Sequence, residues 1–432
     1  MLSRERTEFP LLAPQLRTWA AQWEDLGNPV YCICDYLEIR GRVDLALMNA
    51  AHEHVEREAE ALRIGIVTSE GEHRQFLRDD TAPLTFLDLS AESVPEAAAK
   101  SWMESDAHRP VDPLRLCTAA LIKVADEHFL LYRRVHHAVV DGYSLALVFN
   151  RTAAVYTALA RGLPPGEGGF PPYARLLESE AAYRDGKSRA RDREHWLRKM
   201  ADHPEPESLA GRKAGLAIGR RRTAELTPDT VGRLEHAAGG LGATWSDLVV
   251  SAVAAYVART TGAGELLIGL PTSGRLSPQV RHVPGMTINI LPLRLTVDTA
   301  SPLDVFTRKV SLEVREVLLH SRYPTAEISR EIVEKGGGAR LWGPMVNVMK
   351  FDYKLDFAGS QAVMRTMSIP LTVDLTVYFF QTSADGTTEV ILDAHPELYS
   401  PQETDRHMDG LLSLLHALET ADPNLAVGDI PA

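Results

Sequence analysis

Cysteine is scarce in this chain: Cys32, Cys34 and Cys117 are the only three in 432 residues. So odd and sparse a count excludes a disulfide framework and fits a reducing cytoplasm. Cys32 and Cys34 alternate in the strand-like run YCICDYLEI, which points both thiols to one face. With no further ligands nearby, they are expected to be core thiols and not a metal site. Long apolar runs are also missing. No stretch approaches the roughly 18–20 residues of a membrane span, and the opening MLSRERTEFPLL carries no signal-peptide core. A soluble cytoplasmic protein is expected. Basic charge is in deficit: 46 Lys and Arg against 58 Asp and Glu give a formal net charge of −12. That balance argues against nucleic acid or an anionic membrane as partner. Two catalytic devices are absent as well. There is no G-x-S-x-G nucleophile elbow and no G-x-x-x-x-G-K-[ST] phosphate loop.

What is present is enough chain for two lobes, since 432 residues exceed one typical core. The Gly/Pro-rich stretch RGLPPGEGGFPP (161–172) is the best inter-lobe linker, giving lobes over residues 1–165 and 166–432. Asp44 caps a predicted helix in which Leu47, Ala51, Val55, Ala59 and Leu62 recur at helical spacing. In the same segment His52 and Glu56 lie four apart. Two such groups are weak evidence for a metal, and a solvated helix face is expected. Residues 114–124 and 128–135 read as neighboring strands joined by a tight turn. A charged helical stretch follows the linker, with Tyr173, Leu177 and Tyr183 on its apolar side. ELLIGL, GMTINILPLRLTV and MVNVMKFDYKL read as strands of the second lobe. Thr244 with Asp247, and Ser400 with Pro401 and Glu403, mark two helix starts.

The segment RRVHHAVVDGYS (133–144) lies between a predicted strand and a predicted helix. His137 can accept or donate a proton near neutral pH. Asp141 can be held by its own hydrogen bonds, and Gly142 permits torsions that a side chain would forbid. Such a loop can project an imidazole into a cavity between lobes and assist direct transfer without a covalent enzyme intermediate. For an isolated histidine pair, two satisfied core groups are the plainer reading.

The rest of the chain changes that balance. HHAVVDG resembles the H-H-x-x-x-D-G signature of nonribosomal peptide synthetase condensation domains. LLAPQLRTWAA, with Gln15, Arg17 and Trp19, resembles the opening motif of that family. EALRIGI resembles its motif ending in Leu62-Arg63. LPTSGR followed by PGMTINILPLR resembles its later region, with Gly274, Arg275, Asn289, Pro292, Leu293 and Arg294. The likeness runs from about residue 9 to the final helix. SRYPTAEISREI and WGPMVNVMKFDYKLDFAG are similar to the starter-type domains, through Gly343, Pro344, Asn347, Phe351, Asp352, Tyr353 and Leu355. Asp374-Leu375 extends this narrower likeness. SIPLTVDL (368–375) departs from it in spacing and lacks a glycine.

The resemblance implies a mixed α/β (α+β) fold of two chloramphenicol-acetyltransferase-like lobes, set as a V-shaped pseudo-dimer with a tunnel between them. It implies that an acyl thioester, expected to be an aryl acid, passes to the amine of an aminoacyl acceptor. Both ride on phosphopantetheine arms of carrier proteins, and no intrinsically bound cofactor or metal is expected. His137 is then the catalytic imidazole, with a pKa near its ordinary value, and His136 supports the loop. Asp141 is expected to pair with Arg275, and the Gly142 backbone to polarize the thioester oxygen. Arg63, Asn289 and Asn347 are expected along the tunnel or its frame. The start at Met1 implies a donor aryl or acyl carrier protein in trans, and the AVGDIPA end implies a following adenylation domain. An antibiotic or siderophore synthetase is the expected context. Two alternatives stand beside this. A coenzyme A-dependent acyltransferase shares H-x-x-x-D-G, but LDFAGS (355–360) matches the D-F-G-W-G motif of the plant type only superficially. A noncatalytic recruitment domain would be expected to show a degraded histidine motif.

Overall fold

The computed structural model describes residues 7–166, 168–368, 371–381 and 386–431. Met1, residue 167 of the linker and residues 369–370 of SIPLTVDL lie outside the described residues. In chain order the elements that frame the site are α1 (Ala13–Trp23), β1 (Cys32–Arg40), α2 (Leu45–Glu58), β2 (Leu84–Asp88), β3 (Cys117–Ala125), β4 (His128–His136) and α3 (Gly142–Ala160). Then follow α4 (Ala174–Arg184), α5 (Lys187–Lys199), β5 (Arg220–Leu226), α6 (Pro228–Gly240), α7 (Trp245–Thr261), β6 (Glu265–Ser273) and β7 (Ile288–Thr296). The last are β8 (Met345–Met349), β9 (Asp356–Phe357), β10 (Ser360–Thr366), β11 (Leu375–Gln381), β12 (Thr388–Ala394) and α8 (Pro401–Leu418).

Helix starts follow local chemistry. The Asp44 carboxylate accepts from the Leu47 N–H at 3.0 Å. Thr244 with Asp247, and Ser400 with Glu403, form reciprocal capping boxes. The charged stretch after the linker is two helices, not one, breaking at Asp185–Gly186. A side chain at Gly186 would press 2.7 Å from the Ala182 carbonyl.

Two six-stranded sheets carry the chain, in the orders β9-β10-β1-β4-β3-β2 and β7-β6-β8-β11-β12-β5. They share a plan. In the first, β2 runs parallel to β3, β3 antiparallel to β4, and β4 antiparallel to β1. In the second, β8 runs parallel to β11, β11 antiparallel to β12, and β12 antiparallel to β5. Helices α2 and α6 follow β1 and β5, and α3 and α8 follow β4 and β12. This internal likeness is invisible as a sequence repeat. His395 follows β12 as His137 follows β4, but His395 is buried and its Nδ1 accepts from the Glu397 N–H.

The halves are also stitched together. β10 pairs with β1, from Arg40 opposite Gln361 to Asp35 opposite Thr366, so a late segment extends the first sheet. Of MVNVMKFDYKL only Met345–Met349 is a strand. The following segment is fastened to α3 by one side chain. Asn150 Nδ2 donates to the Asp352 carbonyl at 2.7 Å, and Asn150 Oδ1 accepts from the Lys354 N–H at 2.8 Å. Gly343 has no room for a side chain, since a Cβ there would stand 1.8 Å from the Glu207 carbonyl. No single helix among the described residues is long and apolar enough to cross a membrane.

Candidate functional site

β4 ends at His136, and the chain turns sharply before α3. The turn is fixed from both sides. The His137 N–H donates to the Tyr31 carbonyl at 2.8 Å, and the Val139 N–H to the His136 carbonyl at 3.0 Å. His136 is buried against the edge of Trp19 at 5.4 Å. Its Nδ1 accepts from the Ala138 N–H, and its Nε2 faces Gln22 Oε1 at 3.1 Å, which defines a neutral tautomer. Burial, with the neighboring His137 and Arg134, depresses its pKa to about 3. His136 is therefore a positioning group.

His137 differs. It is only partly covered, and its Nδ1 finds no hydrogen-bond partner. Burial lowers its pKa below the ordinary imidazole value of 6.5, although Asp141 pulls the other way. The near-ordinary pKa expected from the sequence is thus corrected: desolvation keeps this ring neutral.

Asp141 caps α3, its Oδ1 accepting from the Ser144 N–H at 2.9 Å. Arg275 reaches it from the second half, Nη1 to Oδ2 at 2.7 Å and Nη2 to Oδ1 at 3.3 Å. Both side chains are buried. Burial opposes the Asp141 charge, but Arg275 and Ser144 outweigh it and hold the carboxyl below its ordinary pKa. Ser144, Gly285 and Thr287 complete the network. Arg275 Nη2 donates to Ser144 Oγ at 2.6 Å and to the Gly285 carbonyl at 2.9 Å, and the Thr287 N–H donates to Asp141 Oδ2 at 3.1 Å. These three lie within or beside recognizable motifs, but nothing in the motifs marks them.

Gly142 is corrected too. It does not occupy the left-handed region, so no side chain is forbidden there by torsion. A Cβ would meet Phe351 at 3.8 Å and Met349 at 4.0 Å, which is ordinary contact. What the glycine provides is space at the first turn of α3, where N–H groups lack helical acceptors.

Asn289 is buried on β7. Its amide donates to the Ser321 and Tyr323 carbonyls at 3.0 and 2.7 Å and accepts from Thr325 Oγ1 at 2.6 Å. It lines a partly open cavity bounded by Arg17, Glu180, Thr287, Ser321 and Thr325, with walls from both halves. Asn347 is half-buried on β8. Arg63 is not brought to this cavity. It donates to the Glu56, Arg57 and Arg78 carbonyls, tying the end of α2 to the backbone at Arg78. Asp374 is buried and accepts from Ser208 Oγ at 3.0 Å and from the Tyr399 hydroxyl.

The solvated face expected for His52 and Glu56 is overturned. Both are 1% exposed and face Arg133 of β4. Arg133 donates to Glu56 Oε1 at 2.7 Å and to His52 Nδ1 at 3.2 Å, while His52 Nε2 donates to the Ala82 carbonyl at 2.8 Å. A half-apolar helix can hide an ion pair when the facing strand supplies the cation.

The Condensation domain family model matches residues 5–430. The chain belongs to the condensation-domain family. It is 37% identical over 427 residues to an isonitrile lipopeptide synthase of Streptomyces coeruleorubidus, covering 98% of this chain and 29% of that protein. It is 33% identical to a dimodular nonribosomal peptide synthase of Bacillus subtilis, covering 97% of this chain and 18% of that protein. Enterobactin synthase component F of Escherichia coli is 28% identical, with 98% and 33% covered. The chain thus spans a third or less of these curated relatives. Among solved structures, the starter condensation domain of rhizomide synthetase RzmA in complex with C8-CoA superposes with a TM-score of 0.89 at 33% identity, covering 98% and 97% of the two chains. The first condensation domain of the calcium-dependent antibiotic synthetase also gives 0.89, at 31% identity and 99% coverage of both. The two-lobed condensation fold expected from the sequence is therefore the observed one.

Proposed function

We propose that this condensation domain joins an acyl thioester to the amine of an aminoacyl acceptor, forming an amide. The observation that carries this is His137: a partly exposed imidazole whose pKa is lowered by burial, on a turn locked by His136, Asp141 and Arg275. The amine nitrogen attacks the thioester carbonyl, a C–N bond forms and the C–S bond breaks. His137 takes the ammonium proton or holds the amine in line, and the departing sulfur leaves as a thiol once protonated. The free N–H groups at the start of α3, Gly142 first, stabilize the carbonyl oxygen as it gains charge. Arg275 keeps the loop of one half registered against the other. Asn289 shapes the cavity bounded by Arg17 and Thr325, and Asn347 stands on β8.

Neither substrate needs a cofactor held by this chain. Both arrive on phosphopantetheine arms, the donor on an aryl or acyl carrier protein supplied in trans and the acceptor on a peptidyl carrier protein. An adenylation domain follows in the complete synthetase, which works in the cytoplasm. An aryl acid is the first reading of the donor, through the likeness to enterobactin synthase component F. The lipopeptide relative and the C8-CoA complex of RzmA favor a fatty acyl chain as the second reading. The test mixes this chain with aryl- or fatty-acyl-loaded carrier and an aminoacyl carrier, and reads the acceptor by intact mass. An acyl-aminoacyl mass supports amide formation, and the donor that produces it decides between the two readings. No product from any carrier-bound donor overturns the proposal.

A further inference from the structure

Arg17 of α1 lines the partly open cavity that Glu180, Thr287, Asn289 and Thr325 also bound, and it is half-buried there. Among the described residues its guanidinium has neither a carboxylate within ion-pair distance nor a hydrogen-bond partner; burial and Tyr31 are what it feels. The other charged groups of the wall, Glu180 and Arg322, face each other at 3.9 Å. Glu180 also accepts from the Ala13 N–H at 3.3 Å. Arg322 is further held by the Ser179 carbonyl at 2.7 Å and by the ring of Tyr183 at 4.4 Å. The wall thus carries two guanidiniums against one carboxylate, and the surplus charge is that of Arg17.

This cavity adjoins the histidine turn. α1 packs against the turn through two side chains: Trp19 meets His136 at 5.4 Å, and Gln22 Oε1 faces His136 Nε2 at 3.1 Å. On another wall Thr287 gives its N–H to Asp141, four residues beyond His137. Tyr31, whose carbonyl receives the His137 N–H, is near enough to Arg17 to feel its charge. Arg17 acts on His137 as well, lowering its pKa behind the larger effect of burial and against the pull of Asp141. The charged groups facing this point are otherwise balanced. Asp141 is paired with Arg275, Glu180 with Arg322, and His136 is neutral.

An aminoacyl group brings a problem to such a site. Its α-amine has an ordinary pKa of about 8, so near neutral pH most of it is ammonium, which has no electron pair to attack with. A cation beside a basic nitrogen disfavors the protonated form, and more strongly where water is scarce.

We propose that Arg17 is a positioning residue whose unbalanced charge makes the acceptor nitrogen shed a proton to water on entering the cavity, so that the neutral amine meets the thioester. The proton released once the C–N bond has formed is the one left for His137. The inference rests on the amide-forming reading above and adds how the nucleophile is made ready.

The test is the pH dependence of kcat/KM with a glycyl-loaded acceptor carrier, for the wild type, Arg17→Gln and Arg17→Lys. Arg17→Gln is expected to move the limb of the acceptor amine up by about one pH unit and to lower kcat/KM near neutral pH about fivefold. Arg17→Lys is expected to restore both. An aminooxyacetyl acceptor, whose nitrogen is already neutral in this range, is expected to serve Arg17→Gln as well as the wild type, which a merely structural loss would not allow. An unmoved limb in folded Arg17→Gln overturns the inference while amide formation stands. An equal loss with the aminooxy acceptor overturns it too. If Arg17→Gln fails to fold, the wild type still decides. Glycyl-pantetheine with an amide in place of the thioester does not react, and its amine, titrated by carbon NMR, is expected to have a lower pKa bound than free. An equal or higher bound value overturns the inference. No amide from any acceptor removes the reading and the inference together.

Discussion

Arg275 holds Asp141 through both carboxylate oxygens, across 134 residues of chain and from the opposite half of the molecule. The same guanidinium reaches Ser144 and Gly285, so one side chain fixes the cap of α3 and the loop that faces it. Asp141→Ala or Arg275→Ala is expected to cost about 3–5 kcal/mol, because each strands a buried charge. Equilibrium unfolding in urea reads the loss. A change under about 1 kcal/mol would mean that water or a neighbor replaces the missing partner.

The His52–Glu56–Arg133 cluster makes a different prediction. Glu56→Ala leaves Arg133 charged in a dry interior and is expected to cost about 3–5 kcal/mol. Glu56→Leu combined with Arg133→Met removes both charges and is expected to recover most of that loss. Denaturation midpoints of the single and double variants check this. A double variant as unstable as the single one would show that geometry, and not an orphaned charge, sets the cost.

The pH dependence of transfer follows from His137. Burial places its pKa below 6.5, so the ring stays neutral when the pH drops through the ordinary imidazole range. The limb of the kcat/KM profile that belongs to His137 is expected below pH 6.5, separate from the limb of the acceptor amine, which must be neutral to attack. A limb at or above 6.5 that persists with an acceptor of lower amine pKa would contradict the burial of this ring.

Much of the site was legible because it is local in sequence. The H-H-x-x-x-D-G loop is one strand end, one turn and one cap, and its spacing alone orders His136, His137 and Asp141. Asp44, Thr244 and Ser400 were legible for the same reason, since a cap bonds within three residues. What stayed hidden depends on distant partners. Glu56 reads as a surface residue until Arg133 is placed opposite, 77 residues away. β10 looks like part of the second half until it pairs with β1. Gly142 invited a torsional explanation that its helical conformation does not need.

The most direct measurement is single-turnover transfer by His137→Ala beside the wild type, using an acyl-loaded donor carrier and an aminoacyl acceptor carrier. The rate is expected to fall by about 10²–10⁴-fold while the melting temperature stays near that of the wild type, since His137 lacks a partner at Nδ1. A folded His137→Ala protein that transfers at the wild-type rate would contradict the central claim that this imidazole carries the reaction.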